Sequence, residues 1–326
     1  MAITIARRAF LTAVAGALAA CPFNAGAQRH KSPRVGALVL TDRDAQLLGT
    51  ALRDGLREFG YVEGRNIEFE IRSAGGRSAL LPELAADLVH LEADVILAVY
   101  TPCALAAKQA TGEIPIVAVS VGDPIGTGLV SGLARPGGNV TGLSNMAAET
   151  AGKSVGLLRD MLPSIRRVAV LANPIDPFTK PFLEQVQLSG DTAGIEIQPV
   201  AMARGLDEVE GAFAVIARER ADAVVVQGIF FSKDVADIAI KHRLPTASVL
   251  RSYVDAGGLI SYGANLPDMF RRSALFVHKI LQGAKPADLP VEQPTSFELA
   301  LNLQTAKAIG LTVPEAFRLR ADVVIE

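Results

Sequence analysis

From Arg34 onward, short apolar runs alternate with longer amphipathic stretches. Val35-Gly36-Ala37-Leu38-Val39-Leu40 carries no charged position and predicts a strand buried on both faces. Residues 45–59 place Leu48, Leu52 and Leu56 on one helical face, with Gly60 where a C-cap is expected. The alternation continues with strands over 66–72, 94–99 and 116–120 and helices over 78–91 and 102–110. In the second of these helices Thr101 reads as the N-cap and Pro102 as the first helical residue. A second cycle runs helix 149–161, strand 167–172, helix 177–190, strand 195–200, helix 206–217, strand 223–227 and helix 233–242. Two successive βαβαβ sets predict an α/β protein of two doubly wound parallel-sheet lobes rather than one very wide sheet. Residues 134–144, with Pro136-Gly137-Gly138-Asn139, are the expected first crossing between lobes. The tail offers a strand over 259–262, a helix over 266–282, a proline-rich extended stretch over 285–294 and a late strand over 297–301. It has no partner set of its own, so it is expected to complete the two existing sheets.

Composition narrows the class. The 326 residues suffice for two domains, half of them are apolar, a fifth are charged and the net charge is −2. That balance gives no sign of a nucleic-acid surface or a polybasic membrane patch. Cys21 and Cys103 are the two cysteines, too few for a disulfide framework. Tryptophan is absent and aromatics are sparse, which weighs against a sugar site.

Arg7-Arg8 precede an apolar run over 9–20, too short to span a bilayer and suited to the h-region of a signal peptide. Arg7-Arg8-Ala9-Phe10-Leu11 also approximates the twin-arginine pattern, so Sec and twin-arginine export both stand. Leu18-Ala19-Ala20-Cys21 has the form of a lipoprotein signal, whereas Ala25-Gly26-Ala27 before Gln28 fits ordinary secretory cleavage.

In open parallel sheets, ligands bind beyond the carboxyl ends of the strands, where loops meet helix N-termini. The strand-end loops here contain Thr41-Asp42, Thr101-Pro102, Asp123, Asn173 and Gln227-Gly228, each a residue that could equally cap a helix or turn the chain. With Ser120, Asn145, Phe230 and Tyr262 these form the candidate ligand-binding set. His30, His90, His242 and His278 are isolated, and no metal-ligand spacing, G-x-S-x-G elbow or P-loop occurs. Gly126-Thr127-Gly128 is a weak likeness of a dinucleotide turn, with Ser131 in place of the third glycine. No cofactor, metal or catalytic residue is expected. An enzyme would have to use Asp42, Asp123 or Cys103 without an evident partner.

The order of motifs resembles one family. Gly55-Leu56 with Gly60-Tyr61-Val62-Glu63-Gly64-Arg65-Asn66, then Ile114-Pro115-Ile116-Val117, Gly122-Asp123-Pro124 and the stretch from Leu133-Ala134-Arg135-Pro136 to Gly142, are similar to exported ABC transporter substrate-binding proteins of the tryptophan/tyrosine-uptake-like type. Gly257-Gly258-Leu259-Ile260-Ser261-Tyr262-Gly263 and the stretch Ala306-Lys307-Ala308-Ile309-Gly310-Leu311-Thr312-Val313-Pro314 resemble its tail. The resemblance implies a type I periplasmic-binding-protein fold, two lobes joined by three crossings and closing on a ligand by hinge motion. It divides the chain into a signal peptide (1–27), a first lobe (33–144 plus about 263–290) and a second (145–262 plus about 291–326). It also implies a monomer that captures a small molecule, expected to be an amino acid or an aromatic or organic acid, for an ABC permease of the inner membrane. A ligand-sensing module for a membrane receptor, or an exported enzyme on the same fold, are the alternatives. The sequence departs from the family where Tyr100-Thr101-Pro102 replaces a short polar or glycine-rich turn, and at Leu250, near which an aromatic is common. Relatives with this leader carry a bulky residue where Cys21 stands, which favours cleavage after Ala27 and a free periplasmic product over a lipid anchor on Cys21.

Overall fold

Strands β1 (Arg34–Val39), β2 (Glu68–Ser73), β3 (Val95–Val99), β4 (Ile116–Val121) and β5 (Val140–Ser144) form a first sheet in the order β2-β1-β3-β4-β5, parallel throughout. Every residue of β3, β4 and β5 is buried, as expected of parallel strands covered on both faces. The computed structural model describes residues 32–326. The leader, with Arg7-Arg8, Cys21 and the cleavage site after Ala27, and His30 lie outside the described residues.

Helices α1 (Asp42–Arg57), α2 (Leu81–His90) and α3 (Tyr100–Ala110) connect these strands. Helix α1 starts three residues earlier than the apolar periodicity indicated, because Thr41 and Asp44 form a reciprocal capping box. Thr101 is not the cap of α3. The cap position is Val99, and the Thr101 hydroxyl instead accepts the Gly122 amide at 3.1 Å.

The second sheet contains β6 (Arg167–Ala172), β7 (Glu196–Met202), β8 (Ala223–Val226), β9 (Thr246–Ser248), β10 (Ile260–Ala264), β11 (Phe297–Asn302) and β12 (Val323–Ile325). Its order is β12-β11-β10-β9-β8-β6-β7, and only the β10–β11 pair is antiparallel. Its helices are α4 (Ala147–Met161), α5 (Thr179–Ala193), α6 (Leu206–Arg218), α7 (Lys233–Lys241) and α8 (Arg251–Asp255). They are followed by α9 (Leu266–Leu281) and the short α10 (Leu303–Ala308) and α11 (Glu315–Arg318).

Two expectations are corrected here. Residues 134–144 are not simply a crossing, since Val140–Ser144 is a fully buried strand paired with β4. The chain passes to the second sheet after it, at Asn145-Met146. The tail does not share its strands between the sheets either, because β10, β11 and β12 all join the second. What returns to the first lobe is α9, which packs on α1, β4 and β5 through Met269, Phe270, Phe276 and Val277. Each of these side chains contributes about 1.5–3 kcal/mol by burial. The chain then runs beside β5, where Glu292 exchanges backbone hydrogen bonds with Gly142 and Ser144 at 2.9 Å, before crossing back to β11. The two sheets are therefore linked by three chain passages, and Pro33–Glu326 holds together as one contact unit.

Gly142 makes the close approach of β5 to β4 possible. Its φ is +137°, and a Cβ there would meet the Ala118 carbonyl oxygen at 1.9 Å. Gly142→Ala is expected to destabilise the protein by about 2 kcal/mol or more, read as a lowered denaturant midpoint. An unchanged midpoint would show that β5 can move away from β4 at no cost.

Candidate ligand-binding cleft

The carboxyl ends of strands from both sheets face one narrow cavity of about 50 Å³. The first lobe contributes Leu40 after β1, Tyr100, Thr101 and Pro102 at the start of α3, and Ser120 and Gly122 at the end of β4. Asn145 and Ala147 follow β5. The second lobe contributes Asp176 and Phe178 after β6, Gly228, Ile229 and Phe231 after β8, and Val249 and Leu250 after β9. Of the expected contacts, Thr101, Pro102, Ser120, Asn145 and Gly228 line this cavity.

The other expected residues lie elsewhere. Thr41 caps α1, and Asp42 is exposed in its first turn. Asp123 turns into its own loop, where its carboxylate accepts the Gly126 amide at 2.8 Å. Phe230 packs in the core of the second lobe between its cavity-lining neighbours. Tyr262 stacks on Phe297 with Lys153 above both rings. Asn173 and Gln227 are buried and act behind the wall. Gln227 Oε1 accepts from the Asn173 amide at 2.7 Å and from the Thr179 hydroxyl at 3.1 Å, and its Nε2 donates to Asp176 at 2.9 Å. Asn173 accepts the Ile175 amide and donates to the Arg204 carbonyl.

The polar groups of the first-lobe wall are arranged as donors. Thr101 Oγ1 already accepts from Gly122, and Ser120 Oγ accepts from Asn145 Nδ2 at 3.0 Å. Each hydroxyl therefore has its own proton left to give. Both stand near helix N-termini, α3 at Thr101 and α4 just after Asn145, where the backbone dipole favours negative charge. Backbone strain collects at the same places: Tyr100, Ser120 and Met146 have φ of +69°, +61° and +53°. The Tyr100 hydroxyl donates to the buried Asp44 at 3.1 Å, which fixes the ring in the cavity wall.

Opposite stands Asp176. One carboxylate oxygen accepts the Phe178 amide at 3.0 Å and the other the Gln227 amide. No cation pairs with it among the described residues. Burial pushes its carboxyl up to about 6, against the smaller opposing effect of those two donors. Sequence reading passed over Asp176 in favour of Asn173. The signal available was an Asp three residues before a helix start, which reads equally as a simple turn.

Side chains of the two lobes touch across the cleft. The Tyr100 and Phe231 rings lie 6.0 Å apart at 55°. Arg43 pairs with Asp255 at 2.9 Å. The Phe178 ring rests on Gly122, where a Cβ would come within 2.4 Å of it, so the Gly122-Asp123-Pro124 motif needs its glycine for the lobes to meet. Cys103 is fully buried behind Tyr100, and burial pushes its thiol far above the ordinary range, so it is no nucleophile. No group of three or more metal-ligating side chains occurs among the described residues, and no helix there is long and apolar enough to cross a membrane.

The pH dependence of stability follows from Asp176. Its folded-state affinity for a proton exceeds that of the unfolded chain, so the folded state binds more protons between about pH 4 and 6. Stability therefore falls as pH rises through that window and is level above it. The penalty at neutral pH is on the order of 1–3 kcal/mol. Asp176→Asn is expected to melt a few degrees above the parent at pH 8, with the difference gone near pH 4. A variant that melts lower at pH 8 would show that the charge holds the fold together.

Comparison with known proteins agrees with this architecture. The family model for the ABC transporter substrate binding protein matches residues 35–325. A protein from Clostridioides difficile (strain R20291) named tyrosine-binding protein is 24% identical over 258 residues, covering 78% of this chain and 74% of that one. The crystal structure of a conserved domain protein from Vibrio cholerae is 30% identical with a TM-score of 0.84, covering 90% of this chain and 100% of that chain. An ABC domain from Streptococcus pneumonia in complex with L-Trp is 25% identical with a TM-score of 0.82, at the same coverages. Members of the matched family are binding proteins. The chain belongs to the ABC transporter substrate-binding protein family.

Proposed function

We propose that this chain is an exported receptor that captures a small carboxylate-bearing molecule with an apolar or aromatic body and delivers it to an ABC import permease. The observation that carries the reading is the division of labour in the cleft. The first lobe presents the Thr101 and Ser120 hydroxyls beside two helix N-termini, and apart from Asn145 and Asp176 the remaining walls are apolar, with rings at Tyr100, Phe178 and Phe231. A carboxylate fits the first feature and an amino-acid or aromatic-acid side chain the second. The relatives named for tyrosine and solved with L-Trp support the same class. Both positions where the sequence departs from the family, Tyr100-Thr101-Pro102 and Leu250, line the cavity, so the individual ligand is this chain's own.

Binding would act by population shift. A ligand held by both lobes stabilises the closed arrangement in proportion to its differential affinity for that state. The closed arrangement would then dock on the permease. The chain works as a free periplasmic monomer after cleavage behind Ala27 and needs no cofactor. Calorimetric titration of the purified protein against amino acids, aromatic and other organic acids, and sugars tests the reading. At least one carboxylate-bearing compound is expected to bind and to raise the melting temperature by mass action. Binding by neutral sugars alone would reject it.

A further inference from the structure

Resting on the receptor reading, we infer that Arg43 and Asp255 form an ionic latch that holds part of the ligand-free population closed, so that closure does not wait for the ligand. Arg43 stands in the first turn of α1, on the first lobe, and Asp255 is the last residue of α8, on the second. Their side chains meet at 2.9 Å. Neither charge serves its own helix. A cation is disfavoured at a helix N-terminus and an anion at a C-terminus, because the backbone dipole repels each. Brought together, each charge meets both its partner and the helix end that favours it. The placement therefore answers to the contact between the lobes and not to the needs of either lobe alone.

The same turn supports a second contact with the other lobe. The capping box of Thr41 and Asp44 fixes the backbone on both sides of Arg43, and Asp44 also accepts the Tyr100 hydroxyl at 3.1 Å. The Tyr100 ring in turn lies 6.0 Å from that of Phe231. One helical turn thus sets an ionic and an apolar contact that exist together only when the lobes are closed. The second lobe is built to release the ionic one. Arg251 holds Asp255 at 2.8 Å and Glu298 at 3.0 Å, both within that lobe, so Asp255 keeps a cation when Arg43 withdraws. The Arg43 side chain, 48% exposed, already meets water. Opening therefore strands no buried charge, and the latch is weak and reversible. An exposed pair of this kind shifts an equilibrium about 2- to 5-fold. Neither partner lines the cavity, so the bias is the same for every ligand.

Spin-label distances in the ligand-free protein test this without any ligand in hand. Nitroxides are placed at Ile125→Cys and Ile175→Cys, exposed positions on strand-end loops of the two lobes, while the buried Cys103 stays unlabelled. At an ionic strength of ~0.01 M the parent is expected to show a short-distance population beside a long-distance one. Arg43→Gln should lower the short-to-long ratio about 2- to 5-fold, and Asp255→Asn should lower it likewise. In the Asp255→Asn background Arg43→Gln should add nothing, because the pair is already broken. Raising the salt to ~1 M should bring the parent to the ratio of Arg43→Gln and leave that variant unchanged. A parent with the long distance alone would overturn the inference, as would equal ratios in the parent and Arg43→Gln. Additive effects of the two substitutions, or a salt response that persists in Arg43→Gln, would also overturn it. Each of these failures leaves the receptor reading standing, since that reading is decided by titration with ligand.

Discussion

A side-chain amide with no exposed surface is costly unless its polar atoms are paired, and Gln227 meets that constraint in a way that shapes the second lobe. Its partners are the Asn173 amide at the end of β6, the Thr179 hydroxyl at the start of α5, and Asp176 in the loop between. Gln227 itself directly follows β8, so one residue fixes the relative positions of two strand ends and a helix start. Phe178 stands between Asp176 and Thr179 and presents its ring to the other lobe. If Gln227 lost its partners, Asp176 and Phe178 would both lose their settings. The wall of the cleft is therefore built from behind, by a residue that never touches the cavity.

The first lobe meets this wall through residues chosen by space and by charge. Gly122 allows the Phe178 ring to approach the backbone, and Tyr100 reaches Phe231 with its hydroxyl anchored on Asp44. Only three chain passages join the sheets. Beside these passages, the lobes meet through side chains around the cleft, together with the Arg43–Asp255 pair. An exposed ion pair of that kind contributes about 0–1 kcal/mol, so the apolar contacts and whatever occupies the cleft carry most of the preference. This suits a receptor, because a ligand touching both walls can then decide the equilibrium.

The strand and helix alternation was readable from the sequence because parallel strands buried on both faces appear as unbroken apolar runs. Residues 167–172 and 35–40 were placed to within a residue by that signal. It failed for β5, where the glycine at 142 and the preceding Pro-Gly-Gly sequence read as a loop, although burial and pairing with β4 decide the outcome. It also failed for the three-residue strands β9 and β12, which are too short to show a period. In the cleft, strand-end logic found Thr101, Pro102, Ser120, Asn145 and Gly228. Tyr100 and Leu250, noted as departures from the family, line it too, whereas Phe178 and Phe231 were missed, since an apolar residue on a cavity wall looks in sequence like any core residue. The same logic named Asn173 and Gln227 for their polarity, but polarity does not reveal whether an amide faces a ligand or holds another side chain.

The central claim is that the strand ends of both lobes enclose one small carboxylate-bearing molecule. Native mass spectrometry of the exported protein, with the released compound identified after denaturation, addresses it most directly. The expected result is a one-to-one complex whose released compound has a carboxylate and an apolar or aromatic body. A released neutral sugar, or a protein that retains nothing and forms no complex when carboxylate-bearing candidates are added in excess, would contradict it.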